Sequence, residues 1–288
     1  MTTREAAERL VELLVALAGR PDGSGPPPGG RAFVWEGRFV PVRRVAEEDP
    51  EMLVGVDRQK EAFYRNVGRF LGGLPAHDVL LWGERGMGKS CLVRTLFRVF
   101  PQGDLAVVEI PEPRIPEIPW ILEAVEGDAR RWILYLDDLS FREDDPAYRE
   151  LKVLLEGGLR ARPENTLVVA TSNRRHLVPE RFPDDREIHP EEAVAQTVSL
   201  ADRFGLSLGF RPFDQETYLE AVERHAAALG ADPPPGWREE ALRWAMTRGI
   251  RSGRTALQAA RELAGRVAAA PGPGRCERGQ PRRFPNEE

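Results

Sequence analysis

The chain of 288 residues contains only two cysteines and four histidines, and among its basic residues almost no lysine. Cys91 and Cys276 supply neither a disulfide framework nor metal-ligand spacing, and His77, His176, His189 and His225 are scattered without a metal-site pattern. A disulfide-stapled fold and a zinc site are thereby excluded. No apolar run approaches the length needed to span a bilayer. Glu5, Glu8 and Glu12 near the start do not fit a signal or transit peptide, so a soluble, cytoplasmic protein without membrane contact is the expectation. A formal charge of −5 lacks the positive excess of a dominant nucleic-acid footprint and leaves only a local basic face open. Lysine occurs at positions 60, 89 and 152, and one of the three falls where a phosphate-binding motif requires it.

That motif is Gly83-Glu84-Arg85-Gly86-Met87-Gly88-Lys89-Ser90, which fits G-x-x-x-x-G-K-[ST]. Its four fixed positions match by chance in roughly one chain of this length in a hundred. Asp78 to Trp82 before it reads as a buried strand. Lys89 to Val99 after it reads as a helix with apolar Leu92, Val93, Leu96 and Phe97. Glycines let backbone N–H groups curl around a polyphosphate, at a helix start whose dipole favours negative charge. Lys89 is expected to reach the β- and γ-phosphates and Ser90 to hold Mg²⁺. Cys91 reads as a small core residue of the helix rather than a nucleophile.

Residues 1–20 place Ala6, Leu10, Leu13, Leu14 and Leu17 on one helical face, and 21–30 form a Gly/Pro-rich linker. Residues 31–49 contain a hairpin, Ala32 to Val42, turning at Glu36-Gly37. From 50 to 212 short apolar runs at 78–82, 105–110, 132–136, 166–171 and 206–210 alternate with helical segments, including 117–126, 146–160 and 190–204. Such alternation predicts a parallel sheet covered on both faces, a three-layer α/β/α domain with five strands. Residues 213–270 change to helices alone, near 214–229, 236–248 and 253–269, and predict a small helical lid. The tail 271–288, rich in Pro, Gly and charge, reads as disordered.

Ile133 to Asp138 is an apolar strand ending in two carboxylates, as a Walker B site needs. Asp137 would orient Mg²⁺ and Asp138 would polarise the attacking water. Leu167 to Asn173 is a second apolar strand ending in an amide that can stand beside a γ-phosphate.

Taken in order, these motifs and the helical segment after them resemble AAA+ ATPases of the P-loop NTPase class over residues 50–267. The strings at 154–159 (Leu-Leu-Glu-Gly-Gly-Leu), 170–177 (Ala-Thr-Ser-Asn-Arg-Arg-His-Leu) and 251–254 (Arg-Ser-Gly-Arg) are similar to an uncharacterised bacterial family of ATP-binding AAA+ proteins, a domain of unknown function. The resemblance implies sensor 1 at Asn173, an arginine finger at Arg203 in Leu-Ala-Asp-Arg-Phe-Gly, and sensor 2 at Arg254, with Arg251 as the competitor for that role. Local pairing of Arg203 with Asp202 or Glu192 is the competing reading there, and Arg174 and Arg175 are a second possible cationic contact. Val54 and Val56 resemble the border of the adenine pocket. With Gly83 to Ser90 and Cys91 they make up the expected nucleotide contacts.

The resemblance implies an ATPase that binds Mg-ATP between core and lid and works as a homo-oligomer on a protein or nucleic-acid client. One departure bears on rate. AAA+ hydrolases usually carry Asp-Glu where this chain has Asp137-Asp138, a methylene shorter, and a misplacement of about 1 Å costs on the order of a hundredfold. Slow hydrolysis, or an ATP-dependent binding switch with negligible turnover, follows from that. A P-loop kinase is disfavoured because no acceptor site is evident, and no aromatic pore motif occurs in Pro111 to Trp120.

Overall fold

The computed structural model describes residues 25–102, 104–141, 145–157, 161–174 and 200–269. The expected N-terminal helix, the C-terminal tail and most of the expected helix at 190–204 lie outside the described residues. The chain divides into two compact units, residues 1–213 and 214–288.

The first unit is built on one sheet with order β2-β1-β4-β5-β6-β3-β7. Five of its strands, β3 (Val79–Gly83), β4 (Leu105–Glu109), β5 (Arg131–Leu139), β6 (Thr166–Ser172) and β7 (Leu206–Phe210), lie where the apolar runs place them. They are contiguous and parallel. The sheet has seven strands rather than five, because the hairpin of β1 (Ala32–Trp35) and β2 (Phe39–Pro41) is not a separate unit. β1 pairs parallel with β4, matching Ala32 with Val107 and Val34 with Glu109, and only β1–β2 is antiparallel. The β1–β4 pairing covers what would otherwise be an exposed edge of β4, and Phe33 and Phe39 both pack their rings 5.3 Å from Trp132 of β5.

Strand β6 is buried at every position and β5 from Trp132 to Leu136, so both faces are covered, as parallel sheets require. Helices α1 (Asp57–Leu71), α2 (Lys89–Arg94), α3 (Leu96–Val99), α4 (Ile118–Val125) and α5 (Pro146–Glu156) alternate with the strands. Helix α1 buries Phe63, Val67 and Phe70 along one stripe. Its buried Asn66 donates to the His77 carbonyl (2.8 Å) and accepts from the His77 N–H (3.0 Å), which fixes the chain entering β3. Helix α5 ends at Glu156, shorter than the expected 146–160, whose last residues lie outside the described ones.

The second unit holds α6 (Gln215–Ala228), α7 (Trp237–Arg248) and α8 (Gly253–Ala269), matching the three helical segments read from sequence. Tyr218 of α6 is fully buried and donates to the carbonyl of Ala241 in α7 at 3.1 Å. Ser252 and Thr255 cap α8 reciprocally: the Ser252 N–H reaches Thr255 Oγ1 (2.9 Å) and the Thr255 N–H reaches Ser252 Oγ (3.2 Å). Among the described residues no helix is long and apolar enough to cross a membrane.

Gly83 joins β3 to the loop after it with φ +140°, and a Cβ there would stand 2.1 Å from the Phe210 carbonyl oxygen of β7. Gly83→Ala is expected to cost about 3 kcal/mol or more, from backbone strain and overpacking together. A lowered urea midpoint at unchanged slope is the readout.

Candidate active site

The loop from Glu84 to Gly88 runs between the end of β3 and the start of α2, with positive φ at Gly86 (+82°) and Gly88 (+99°). Leu53 lies over it: a Cβ on Gly88 would come 3.1 Å from Leu53 Cδ2. That brings the segment of Val54 and Val56, both buried, next to the loop. Lys60 of α1 holds the segment in place, donating to the Pro50 (3.3 Å) and Leu53 (3.1 Å) carbonyls. Met87 is buried, Glu84 and Arg85 are exposed, and half-buried Cys91 accepts at Sγ from Arg94 at 3.1 Å.

Lys89 is only 7% exposed. Its ammonium donates to the carbonyls of Gly83 (2.5 Å) and Glu84 (2.9 Å) and to Asn173 Oδ1 at the end of β6 (3.2 Å). The Asn173 amide donates in turn to Asp138 Oδ1. One side chain thus links the loop lysine to the second carboxylate of β5.

The first carboxylate is held more tightly. Asp137 Oδ1 accepts from Tyr135 OH (2.6 Å), Thr171 Oγ1 (2.6 Å) and Ser90 Oγ (2.8 Å), three hydroxyls from two strands and the start of α2. Desolvation pushes the Asp137 carboxyl up, but these three donors and the Arg94 charge outweigh it, and its pKa is lowered. Burial and the adjacent Asp137 charge raise Tyr135 strongly, so its phenol stays a donor. Nearby carboxyls respond in the other direction. Glu109 is raised by desolvation first and by Asp137 second, with Arg94 opposing; Glu112 is raised by desolvation, then by Asp145 and Asp138.

Strand β5 carries the two carboxylates at its end, as the run Ile133 to Asp138 predicts, and extends one residue further. It runs to Leu139, with a register irregularity between Leu136 and Leu139. Asp138 sits within it at φ +55°, the sole non-glycine with positive φ among the described residues. Its N–H donates to Thr171 Oγ1 (2.8 Å), so Thr171 ties both aspartates together. Arg85 approaches Asp138 Oδ2 at 3.4 Å, but with the two side chains 74% and 53% exposed this pair is worth on the order of 0.5 kcal/mol.

The structure therefore brings Lys89, Ser90, Asp137, Asp138 and Asn173 together. Arg203 pairs with Glu156 at the end of α5, and Glu192 lies outside the described residues. Arg254 and Arg251 are exposed in the second unit, where Arg251 helps lower the pKa of Asp214, the capping residue of α6 whose main support is the Thr217 backbone. Arg174 is exposed and Arg175 lies outside the described residues. Tyr135 and Thr171 were not singled out from sequence. Their signal is the period of two that puts each on the face of the polar residue two positions later, Asp137 and Asn173. Among the described residues no group of three or more His, Cys, Asp or Glu side chains is placed to hold a metal by itself.

A family described as "Protein of unknown function (DUF815)" matches residues 29–267. The chain belongs to this family. No curated protein matches it in sequence. Among solved structures, a RuvB variant from Thermotoga maritima is similar with 16% identity and a TM-score of 0.55, over 78% of this chain and 67% of that one. The Thermotoga maritima RuvB Holliday junction branch migration motor gives 16% and 0.54 over the same shares. The Aeropyrum pernix Orc1 protein in complex with DNA gives 17% and 0.54, over 76% of this chain and 62% of that one. This chain thus spans about two thirds of the length of the structures it resembles. At these identities the likeness is one of fold: this chain shares the fold of the RuvB and Orc1 structures.

Thr171→Val keeps the shape of the side chain and removes one donor from Asp137. Asp137 is expected to titrate higher than in the unmodified protein. Because its folded pKa lies below the unfolded 3.8, the stability it contributes is present above that value and lost as pH falls through the folded one. Thr171→Val narrows that window, and carboxyl-carbon NMR titration reads the shift; Thr171→Ser is expected to leave it nearly in place.

Proposed function

We propose that this chain is an ATPase that binds Mg-ATP at Gly83 to Ser90 and hydrolyses it slowly, driving conformational change in an oligomer that acts on a macromolecular client. The observation that carries the reading is the hydrogen-bonded chain from Lys89 through Asn173 to Asp138, beside the Ser90–Asp137 contact.

The residues fit the expected ligands. Lys89 is a buried cation held by oxygen atoms alone among its described hydrogen bonds, at the base of a loop whose glycine conformations leave room for phosphate. Ser90 Oγ and the ionised Asp137 form an all-oxygen donor pair suited to Mg²⁺. When bound, Mg²⁺ supplies charge neutralisation at the phosphate oxygens. Asp138 accepts the proton of the attacking water and Asn173 positions that water, releasing the contacts that now engage both. Val54 and Val56 border the base. Arg203 gives up Glu156 to enter a neighbouring copy's site, and Arg254 is assigned the γ-phosphate contact by family resemblance. The client is a protein or a nucleic acid; the RuvB branch migration motor and DNA-bound Orc1 support a macromolecular one.

A second reading, a binding switch with negligible turnover, is favoured by one observation: Asp138 is both a methylene short and occupied by Asn173 and Arg85. Calorimetric titration with Mg-ATP is expected to show saturable binding that Lys89→Ala weakens by at least about a hundredfold, on the order of two charge-assisted hydrogen bonds. Unchanged affinity in Lys89→Ala sinks both readings.

Single-turnover hydrolysis separates them. Asp138→Asn is expected to fall by about 10²-fold or more if Asp138 is the base, and equal rates favour the switch. Arg203→Ala is expected to reduce turnover only under conditions where the protein self-associates.

A further inference from the structure

Helices α4 and α5, with Gly157 and residues 161–163 after α5, border an apolar groove of about 270 Å³ on the first unit that none of the aspartates or glycine-loop residues lines. Ile118, Pro119 and Leu122 line it from α4, and Glu150, Val153 and Leu154 from α5. Val153 is 55% exposed, a large apolar side chain left facing water. Such a groove invites an amphipathic segment with an apolar stripe.

We propose that the groove is the docking site of the chain's own N-terminal segment, residues 3–19, through Ala6, Leu10, Leu13, Leu14 and Leu17. The described chain begins beside the groove: a Cβ on Gly25 would lie 3.7 Å from the Ala124 carbonyl oxygen of α4. Arg130 fixes that exit point, donating to the carbonyls of Pro27 (3.2 Å) and Gly30 (2.8 Å). Ala124 and Ile118 stand six residues apart on α4, a rise of ~9 Å. The five residues 20–24 reach ~17 Å when extended, so the segment spans the distance.

A linker this short holds the segment at an effective concentration on the order of millimolar, so a weak contact suffices and a second copy at micromolar concentration is outcompeted. The chemistry of the segment fits the site. Its stripe is apolar and its flanks carry both Arg and Glu, as the apolar groove is bordered by both Glu150 and Arg162. Docking there braces the helix before β5 and the helix after it. The inference goes beyond the nucleotide reading and does not depend on it.

Hydrogen exchange on the full chain tests it. Leu13→Glu/Leu17→Glu is expected to speed exchange in 118–125 and 146–156 by at least about tenfold while β3 to β6 stay protected. Val153→Glu, at an exposed position, is expected to do the same. A synthetic peptide of residues 1–24, added to the Leu13→Glu/Leu17→Glu chain, is expected to restore protection. Unchanged rates in 118–125 and 146–156 in both variants overturn the proposal. Protection that fades on dilution of the unmodified chain assigns the groove to another copy's segment and overturns intramolecular docking.

Discussion

Three hydroxyl groups from Tyr135, Thr171 and Ser90 meet on a single carboxylate oxygen of Asp137, and the order of the whole site follows from that meeting. Tyr135 comes from the same strand, Thr171 from the neighbouring strand and Ser90 from the helix after the glycine loop. Each donor alone is a modest contact; together they favour the ionised carboxylate and tie three elements around it. The loop is positioned against β5 by Ser90, and β6 against β5 by Thr171. From β6, Asn173 then reaches both Lys89 and Asp138.

This arrangement divides the two aspartates by environment. Asp137 has one oxygen, Oδ1, engaged by three hydroxyls. Asp138 is held by an amide, a distant guanidinium and its own backbone, contacts that a ligand can exchange without breaking the sheet. Structural rigidity and chemical availability are thereby assigned to adjacent residues. Glu109 and Glu112 register the same crowding: desolvation first, and neighbouring carboxylates after it, raise the pKa of each.

Much of this was legible in the sequence, and the reasons differ by element. The five parallel strands read as apolar runs because burial on both faces removes the need for alternation. The glycine loop was legible because its backbone demands glycine at set positions, and the three C-terminal helices because their apolar spacing and turn residues agree. The place of the hairpin was not, since pairing of Val34 with Glu109 is a long-range event that local pattern does not encode. Tyr135 and Thr171 escaped notice for a related reason: each looks like an ordinary strand residue until register sets Thr171 beside the aspartates. The contact of Arg203 with Glu156 joins residues 47 positions apart, beyond local reading.

The left-handed backbone at Asp138 has a consequence for which residues the site tolerates. Among side-chain-bearing residues, aspartate and asparagine enter that region most readily, whereas a longer, more flexible acid gains nothing from local hydrogen bonding there. The short carboxylate is thus the acid that the twisted end of β5 admits, and the chain path between Leu136 and Leu139 selects it ahead of any demand of chemistry. Lengthening this acid alone, as in Asp138→Glu, therefore asks the strand end to carry a less favourable left-handed residue as well as a longer side chain.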